Sequence, residues 1–144
     1  MRGLRIYVFA MGIAGLAAAQ LVQPSVTARA GKVGRDLLVS PDLNPQVRSI
    51  LTRSCADCHS DHIRLPWYGR VSPVSWVVTR DIGRGREKLD FSDWPRNSAN
   101  LKQDIADAVD KGNMPLRSYL WMHHDARLSS ADRQAIYRWA DSRQ

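Results

Sequence analysis

The two cysteines of this chain lie three residues apart and are followed at once by a histidine, in the sequence Cys55-Ala56-Asp57-Cys58-His59. Two thiols at this spacing on a helical turn can each form a thioether with one vinyl group of haem, and the adjacent imidazole can bind the iron. The motif therefore predicts one covalently attached haem c per chain, held by Cys55 and Cys58, with His59 as an axial ligand of the iron.

Three other chemistries use a pair of cysteines at this spacing. A disulfide would close so short a loop that it would restrain little of the unfolded chain. A redox dithiol expects a strand before the motif, whereas a helix is predicted here. Zinc needs two further ligands, and His59 and His62 both lie within four residues of Cys58, with no distant second pair. Haem is the interpretation that the residues favour.

The sixth ligand of the iron is assigned to Met114, in the sequence Gly112-Asn113-Met114-Pro115. Pro115 biases Met114 toward an extended backbone and prevents a helix from continuing there, which suits a thioether presented from a loop. An ordinary core methionine is the plainer interpretation. The alternatives for the sixth position are a histidine (His62, His123 or His124), Met122, or an open or water-bound iron.

Four helices are predicted to position these residues, from caps and from apolar spacing. The first begins at Asn44-Pro45 and leads into Cys55, with Val47, Ile50 and Leu51 on one face. The second begins at Ser72-Pro73, carries a stripe of Val74, Val77, Val78 and Ile82, and stops at Gly83 or Gly85.

The third predicted helix covers residues 98–111, with Leu101, Ile105, Ala108 and Val109 on one face and Gly112 as a left-handed cap. The fourth covers 129–142, where Ser129 and Asp132 form a capping box before Ala135, Ile136, Trp139 and Ala140. No stretch alternates long enough to predict a strand. The fold class is therefore all-α, with long loops at 60–72, 86–97 and 112–128. Four short helices and long loops bury few apolar side chains, and a covalent haem would supply the missing apolar contacts.

The N-terminus is predicted to be a signal anchor or signal peptide over residues 1–23. Arg2 and Arg5 precede an apolar run over 6–22, whose helical length of about 26 Å nearly spans a bilayer. Cleavage after the alanines at 17–19 or near Ala28-Arg29-Ala30 is the alternative to an uncleaved anchor. The positive charges place the remainder outside the cytoplasm. Residues 24–40 are predicted to be a tether and 41–144 the haem-binding domain.

The 144 residues carry a formal charge of +7, and the part after Pro24 keeps nineteen basic and fourteen acidic residues, or +5. Basic and acidic residues alternate along the chain without a basic block, which argues against a nucleic-acid partner. A positive domain would attract acidic docking surfaces on redox protein partners.

Aromatic and arginine side chains near the motif have two interpretations each. Trp67, Tyr68, Trp76 and Trp94 could pack on the porphyrin, or simply belong to the core. Arg64, Arg70 and Arg86 could pair with haem propionates, or be solvated surface charges.

The order of a helix, the CxxCH motif, a Met-Pro loop and a Trp-bearing C-terminal helix resembles a small class I cytochrome c. More narrowly, the chain resembles the haem-binding domain family of membrane-anchored bacterial c-type cytochromes. The residues that carry this resemblance are LPWY (65–68), SPVSW (72–76), GR (85–86), LDFSDW (89–94), MP (114–115) and HHDARL (123–128). His124 departs from the pattern, since a proline is expected after the histidine that His123 matches.

The resemblance implies a small helical domain wrapped around one haem behind a membrane segment, in the bacterial periplasm and anchored to the inner membrane by residues 6–22. With His59 and Met114 as ligands, the expected function is one-electron transfer without enzymatic activity. The alternatives are a haem-based sensor, an accessory haem subunit, or a peroxidase-like enzyme using His62, His123 or His124 as its acid-base group.

Overall fold

A computed structural model describes residues 2–25, 34–95 and 98–142 of the chain. Within these ranges the chain is helical and contains no strand, so the all-α prediction is confirmed. The α-helices are α1 (Arg2–Ala19), α2 (Pro45–Ser54), α3 (Ala56–His59), α4 (Val74–Lys88), α5 (Ala99–Asp110), α6 (Arg117–Met122) and α7 (Ser130–Asp141).

Helix α1 stands apart from the rest of the molecule, and none of its residues is buried. Its 18 residues are apolar enough to cross a membrane, by length and composition, and it is the one such helix in the described ranges. At 1.5 Å per residue it is about 27 Å long. It ends at Ala19 rather than at residue 22, and a turn follows in which the Leu21 N–H donates to the Ala18 carbonyl oxygen.

Capping fixes α2 and α7 where the sequence predicts it. The Asn44 side chain accepts a hydrogen bond from the Gln46 N–H at 2.8 Å, with Pro45 in the first turn of α2. In α7, the Ser129 hydroxyl accepts from the Asp132 N–H while the Asp132 carboxylate accepts from the Ser129 N–H. Both predicted starts are confirmed.

The core lies where α2, α5 and α7 pack together. Its buried side chains include Val47, Ile50, Leu51, Ile105, Val109, Ala135, Ile136 and Trp139. Leu37 and Leu38, in a 3₁₀ turn at the end of the predicted tether, are buried in the same cluster. The Trp94 N–H also donates to the Arg35 carbonyl oxygen at 2.8 Å. The interval 24–40 thus ends in residues that pack against the domain.

Helix α4 differs from its prediction in length and in buried face. It continues through Gly83 and Gly85 to Lys88. A glycine costs a helix only about 1 kcal/mol, and packing outweighs that cost here. The buried residues of α4 are Ser75, Ile82 and Arg86, while Val74 and Val77 of the predicted stripe are exposed.

The long loops contain short helical segments that the sequence analysis did not anticipate. Helix α6 lies within the stretch 112–128 that was expected to be irregular. Single 3₁₀ turns lie at Trp67–Arg70, Phe91–Asp93 and His124–Ala126.

Gly85 permits α4 to approach α3 closely. A Cβ atom at this position would lie 2.8 Å from the backbone carbonyl oxygen of Cys58 and 3.4 Å from Cε1 of His59. Real Cβ atoms do not tolerate the first of these distances, so any larger residue must push the two helices apart. Gly83, two residues earlier and on a different side of α4, would meet nothing within 4 Å.

Alanine substitutions at these two glycines should therefore change stability in opposite directions. Gly85→Ala should lower the free energy of unfolding by about 1–3 kcal/mol, because the neighbouring atom is backbone and cannot rotate away. Gly83→Ala should raise it by roughly 0.5–1 kcal/mol, because alanine favours the helix and meets no neighbour. Urea unfolding of the full chain in detergent, followed by circular dichroism, measures both. Equal effects at the two positions would contradict the close approach.

Candidate functional site

The CxxCH residues lie at the junction of α2 and α3. Cys55 ends α2, where its N–H donates to the Leu51 carbonyl oxygen at 3.0 Å, and the His59 N–H donates back to the Cys55 carbonyl oxygen at 3.0 Å. Ala56 points into the core and is buried. This turn brings Cys55, Cys58 and His59 to the wall of a single cavity.

The cavity has a volume of about 680 Å³, within the range of roughly 300–1,000 Å³ that small-molecule and cofactor sites occupy. Its walls come from the end of α2, α3, the second half of α4, α5, the loop before α6, and α6 itself. Apolar side chains dominate them: Leu89, Phe91, Leu101, Ile105, Ala108, Val109, Met114, Pro115 and Leu116.

The imidazole of His59 has one nitrogen engaged by the protein. Its Nδ1 lies 2.9 Å from the Leu89 carbonyl oxygen, and because a carbonyl can only accept, Nδ1 carries the proton. Burial lowers the pKa of His59, which favours the neutral ring. A neutral imidazole whose Nδ1–H is bonded to a backbone oxygen leaves Nε2 available to bind a metal.

The two thiols are held in an environment that opposes their ionisation. Burial raises the pKa of Cys55 to about 12 and that of Cys58 to about 11. Both cysteines are free thiols. Burial therefore favours the neutral form of both sulfur atoms. The described ranges also hold no cluster of three or more His, Cys, Asp or Glu residues suited to a metal ion.

Met114 reaches the cavity because of the way α5 ends. Gly112 has φ +66°, as predicted for a left-handed cap. Its N–H donates to the Val109 carbonyl oxygen at 3.1 Å, and the Asn113 N–H donates to that of Ala108 at 2.9 Å. These two bonds form a Schellman motif, which ends the helix and fixes the direction of the chain after it. Met114 follows and lines the cavity.

The rival ligands lie elsewhere. His62 Nε2 lies 2.6 Å from Asp36 Oδ2, and the ring is mostly exposed. The ring of His123 stacks on Tyr119 with 3.9 Å between centroids, and the Tyr68 hydroxyl lies 3.2 Å from its Nε2. His124 and Met122 are exposed. None of these four lines the cavity.

Of the aromatic residues singled out in the sequence, none is part of the cavity wall. Trp94 packs against Phe91 and Trp139, whereas Trp67 is exposed. The aromatic residues that do line the cavity are Phe91 and one that sequence reasoning missed, Tyr119. Its hydroxyl donates to Asp57 Oδ2 at 2.7 Å, so it joins α6 to the residue between the two cysteines. No local pattern identifies a contact across 62 residues.

Arg86 is buried, contrary to the expectation of a solvated charge. Its Nη2 and Nε donate to the Ser60 carbonyl oxygen at 2.7 and 3.1 Å, and its Nη1 lies 3.3 Å from Asp61 Oδ1. Neither Arg64 nor Arg70 lines the cavity. The basic side chains that do are Arg84 and Lys88, one turn apart on α4, together with the acidic Asp81 and Asp104.

These features fit a haem. The cavity is apolar, as a porphyrin requires, and its wall presents two neutral thiols, one imidazole with Nδ1 engaged, and one thioether. Two basic side chains at the same wall could meet carboxylates of a bound group.

Comparison with curated proteins and with solved structures gives no match. A family model does match, over residues 14–142, which include the CxxCH turn, the Met-Pro loop and every helix that forms the cavity; the family is described as the haem-binding domain. The chain therefore belongs to the haem-binding domain family, and its cofactor is haem.

Proposed function

We propose that the protein is a mono-haem c-type cytochrome that transfers single electrons, with haem c bound through Cys55 and Cys58 and with His59 and Met114 as axial ligands. The observation that carries this proposal is that all four side chains line one apolar cavity. When bound, the haem supplies a one-electron couple between ferric and ferrous iron.

The protein's own residues would set the properties of that couple. His59 is oriented by the Leu89 carbonyl oxygen, so its Nε2 faces away from that bond. A methionine opposite a histidine favours ferrous iron and raises the reduction potential relative to two histidines. The apolar wall excludes water and favours the less charged state of the centre. Arg84 and Lys88 would neutralise the haem propionates.

An electron carrier keeps both axial positions filled, whereas a peroxidase-like enzyme needs an open position with an acid-base group beside it. His62, His123 and His124, the histidines considered for that role, are absent from the described cavity wall. Their placement supports the carrier over the enzyme.

The proposed location is the bacterial periplasm, with α1 as an uncleaved anchor in the inner membrane. The absence of buried residues from α1 supports the anchor, and the arginines at positions 2 and 5 support its orientation. The domain would then meet its redox partners outside the cytoplasm. The formal charge of +5 on the part of the chain after Pro24 would favour partners with acidic docking surfaces.

Covalent attachment is tested by extracting the pigment. Because thioethers survive acid and detergent, haem should remain on the wild-type chain through acid-acetone extraction and denaturing electrophoresis. The double variant Cys55→Ser and Cys58→Ser should lose it under the same conditions. Haem staining of the gel measures both. Complete loss of pigment from the wild-type chain would refute the c-type assignment.

Axial ligation is tested by Met114→Ala, which leaves the attachment residues in place. The expected result is a shift toward high-spin ferric haem, a lower reduction potential and new binding of small exogenous ligands, because the iron loses a thioether that favours its ferrous state. Absorption and magnetic circular dichroism spectra in both oxidation states measure the change.

Two matched substitutions serve as controls for Met114→Ala. Met122→Ala removes an exposed methionine, and His123→Ala removes a histidine outside the cavity. Neither should change the spin state. If Met114→Ala keeps the low-spin spectrum and substitution of His62, His123 or His124 abolishes it, the iron has two histidine ligands and the proposed carrier is wrong.

A further inference from the structure

The residues that follow α1 are hydrogen-bonded to the start of α4. Gln20 Nε2 donates to the Ser72 carbonyl oxygen at 3.0 Å, and the Ser72 N–H donates to Gln20 Oε1 at 3.1 Å. Gln23 Nε2 donates to the Ser72 hydroxyl oxygen at 3.0 Å. Ser72 is itself buried. The side chains of Gln20 and Gln23 thus attach the segment after α1 to a buried residue of the domain.

A tryptophan strengthens the same junction. Trp76 Nε1–H donates to the Val22 carbonyl oxygen at 2.8 Å. This bond satisfies the one polar group of the indole while leaving much of the ring exposed. Together with the Gln20 and Gln23 bonds, it makes four hydrogen bonds between residues 20–23 and residues 72–76, and each involves at least one side chain.

Exposed apolar side chains surround this junction. We define the juxtamembrane face as Val71, Val74, Trp76 and Val77, whose exposed fractions lie between 41% and 47%. Ser75, Ile82 and Arg86 form the buried side of α4, so the three α4 members of this face lie on its outward half. Leu21 and Val22, beside them at the end of α1, are also exposed. Arg70 and Arg80, both exposed, flank the face, and Asp81 pairs with Arg80 at 3.0 Å.

We propose that the juxtamembrane face lies on the lipid surface of the membrane that α1 spans. This inference rests on the anchor in the proposed function. Residues directly after a spanning helix lie at the level of the headgroups, so the residues hydrogen-bonded to them lie there too. Tryptophan is enriched at that depth because its ring is apolar and its N–H is polar. Arg70 and Arg80 would attract anionic headgroups.

Contact with the bilayer would also place the haem cavity. The part of α4 that lines the cavity runs from Asp81 to Lys88, which are seven and fourteen residues beyond Val74. At 1.5 Å per residue, that wall lies at most about 21 Å further from the lipid surface than Val74. Lipid contact would therefore keep the cofactor site within a limited distance of the membrane surface.

Site-directed spin labelling of the haem-loaded full chain tests this inference. Val77→Cys places a label on the juxtamembrane face, and Gln134→Cys places a control label on an exposed position of α7. Both proteins are reconstituted into vesicles of phosphatidylethanolamine and phosphatidylglycerol. Collision of each label with oxygen, which partitions into lipid, is compared with collision with a water-soluble nickel chelate. The oxygen-to-nickel ratio should be several-fold higher at position 77 than at position 134.

A second variant tests the junction itself. In the Val77→Cys protein, Gln20→Ala with Gln23→Ala removes the bonds to Ser72 and should lower the ratio at position 77 toward that of the control. An unchanged ratio would overturn the role given to the two glutamines. Spin–spin broadening at position 77 that disappears on dilution with unlabelled protein would show a second copy on this face and overturn lipid contact.

Flotation and label counting separate failure of this inference from failure of the proposed function. Equal ratios at positions 77 and 134, in protein that floats with the vesicles, would overturn lipid contact alone. Protein that does not float would overturn the anchor and the lipid contact together. More than one label per chain would show that Cys55 and Cys58 are not both bound to haem, which would overturn the thioether assignment.

Discussion

The haem site depends on the contacts that residues 85–89, at the end of α4, make with the CxxCH turn. Gly85 allows the helix to approach until its backbone nearly touches the Cys58 carbonyl oxygen. Arg86 donates to the carbonyl oxygen of Ser60, and the carbonyl oxygen of Leu89 accepts from the imidazole of His59. A close approach, a charge-assisted hydrogen bond and a backbone acceptor thus act together on one short segment. Together they fix the position of the histidine.

Sequence reasoning predicted the parts of this arrangement that are encoded locally. The Asn44-Pro45 start and the Ser129–Asp132 capping box depend on residues two or three apart, and the left-handed Gly112 depends on the end of a single helix. The CxxCH spacing is equally local, and so is the break in helix at Met114-Pro115. Each of these patterns specifies its own geometry, and the structure brings the four predicted haem-binding side chains to one cavity.

The parts that sequence reasoning missed depend on contacts between distant residues. Gly83 or Gly85 was expected to end α4, because a glycine whose packing partner is distant in the sequence resembles a helix stop. Arg86 resembles a surface charge in the sequence, because its hydrogen-bond acceptor, the Ser60 carbonyl oxygen, lies 26 residues away. Tyr119 gave no signal in the sequence, because its partner Asp57 lies 62 residues earlier. Local propensity cannot report packing of this kind.

The stretch between α1 and the domain is held at both ends. Gln20 and Gln23 are bonded to Ser72 on one side, while Arg35, Leu37 and Leu38 pack against the domain on the other. The distance from helix to domain is then set by these two attachments and not by how many residues lie between them. A change in the number of residues between positions 25 and 34 would therefore leave the placement of the domain relative to α1 unchanged.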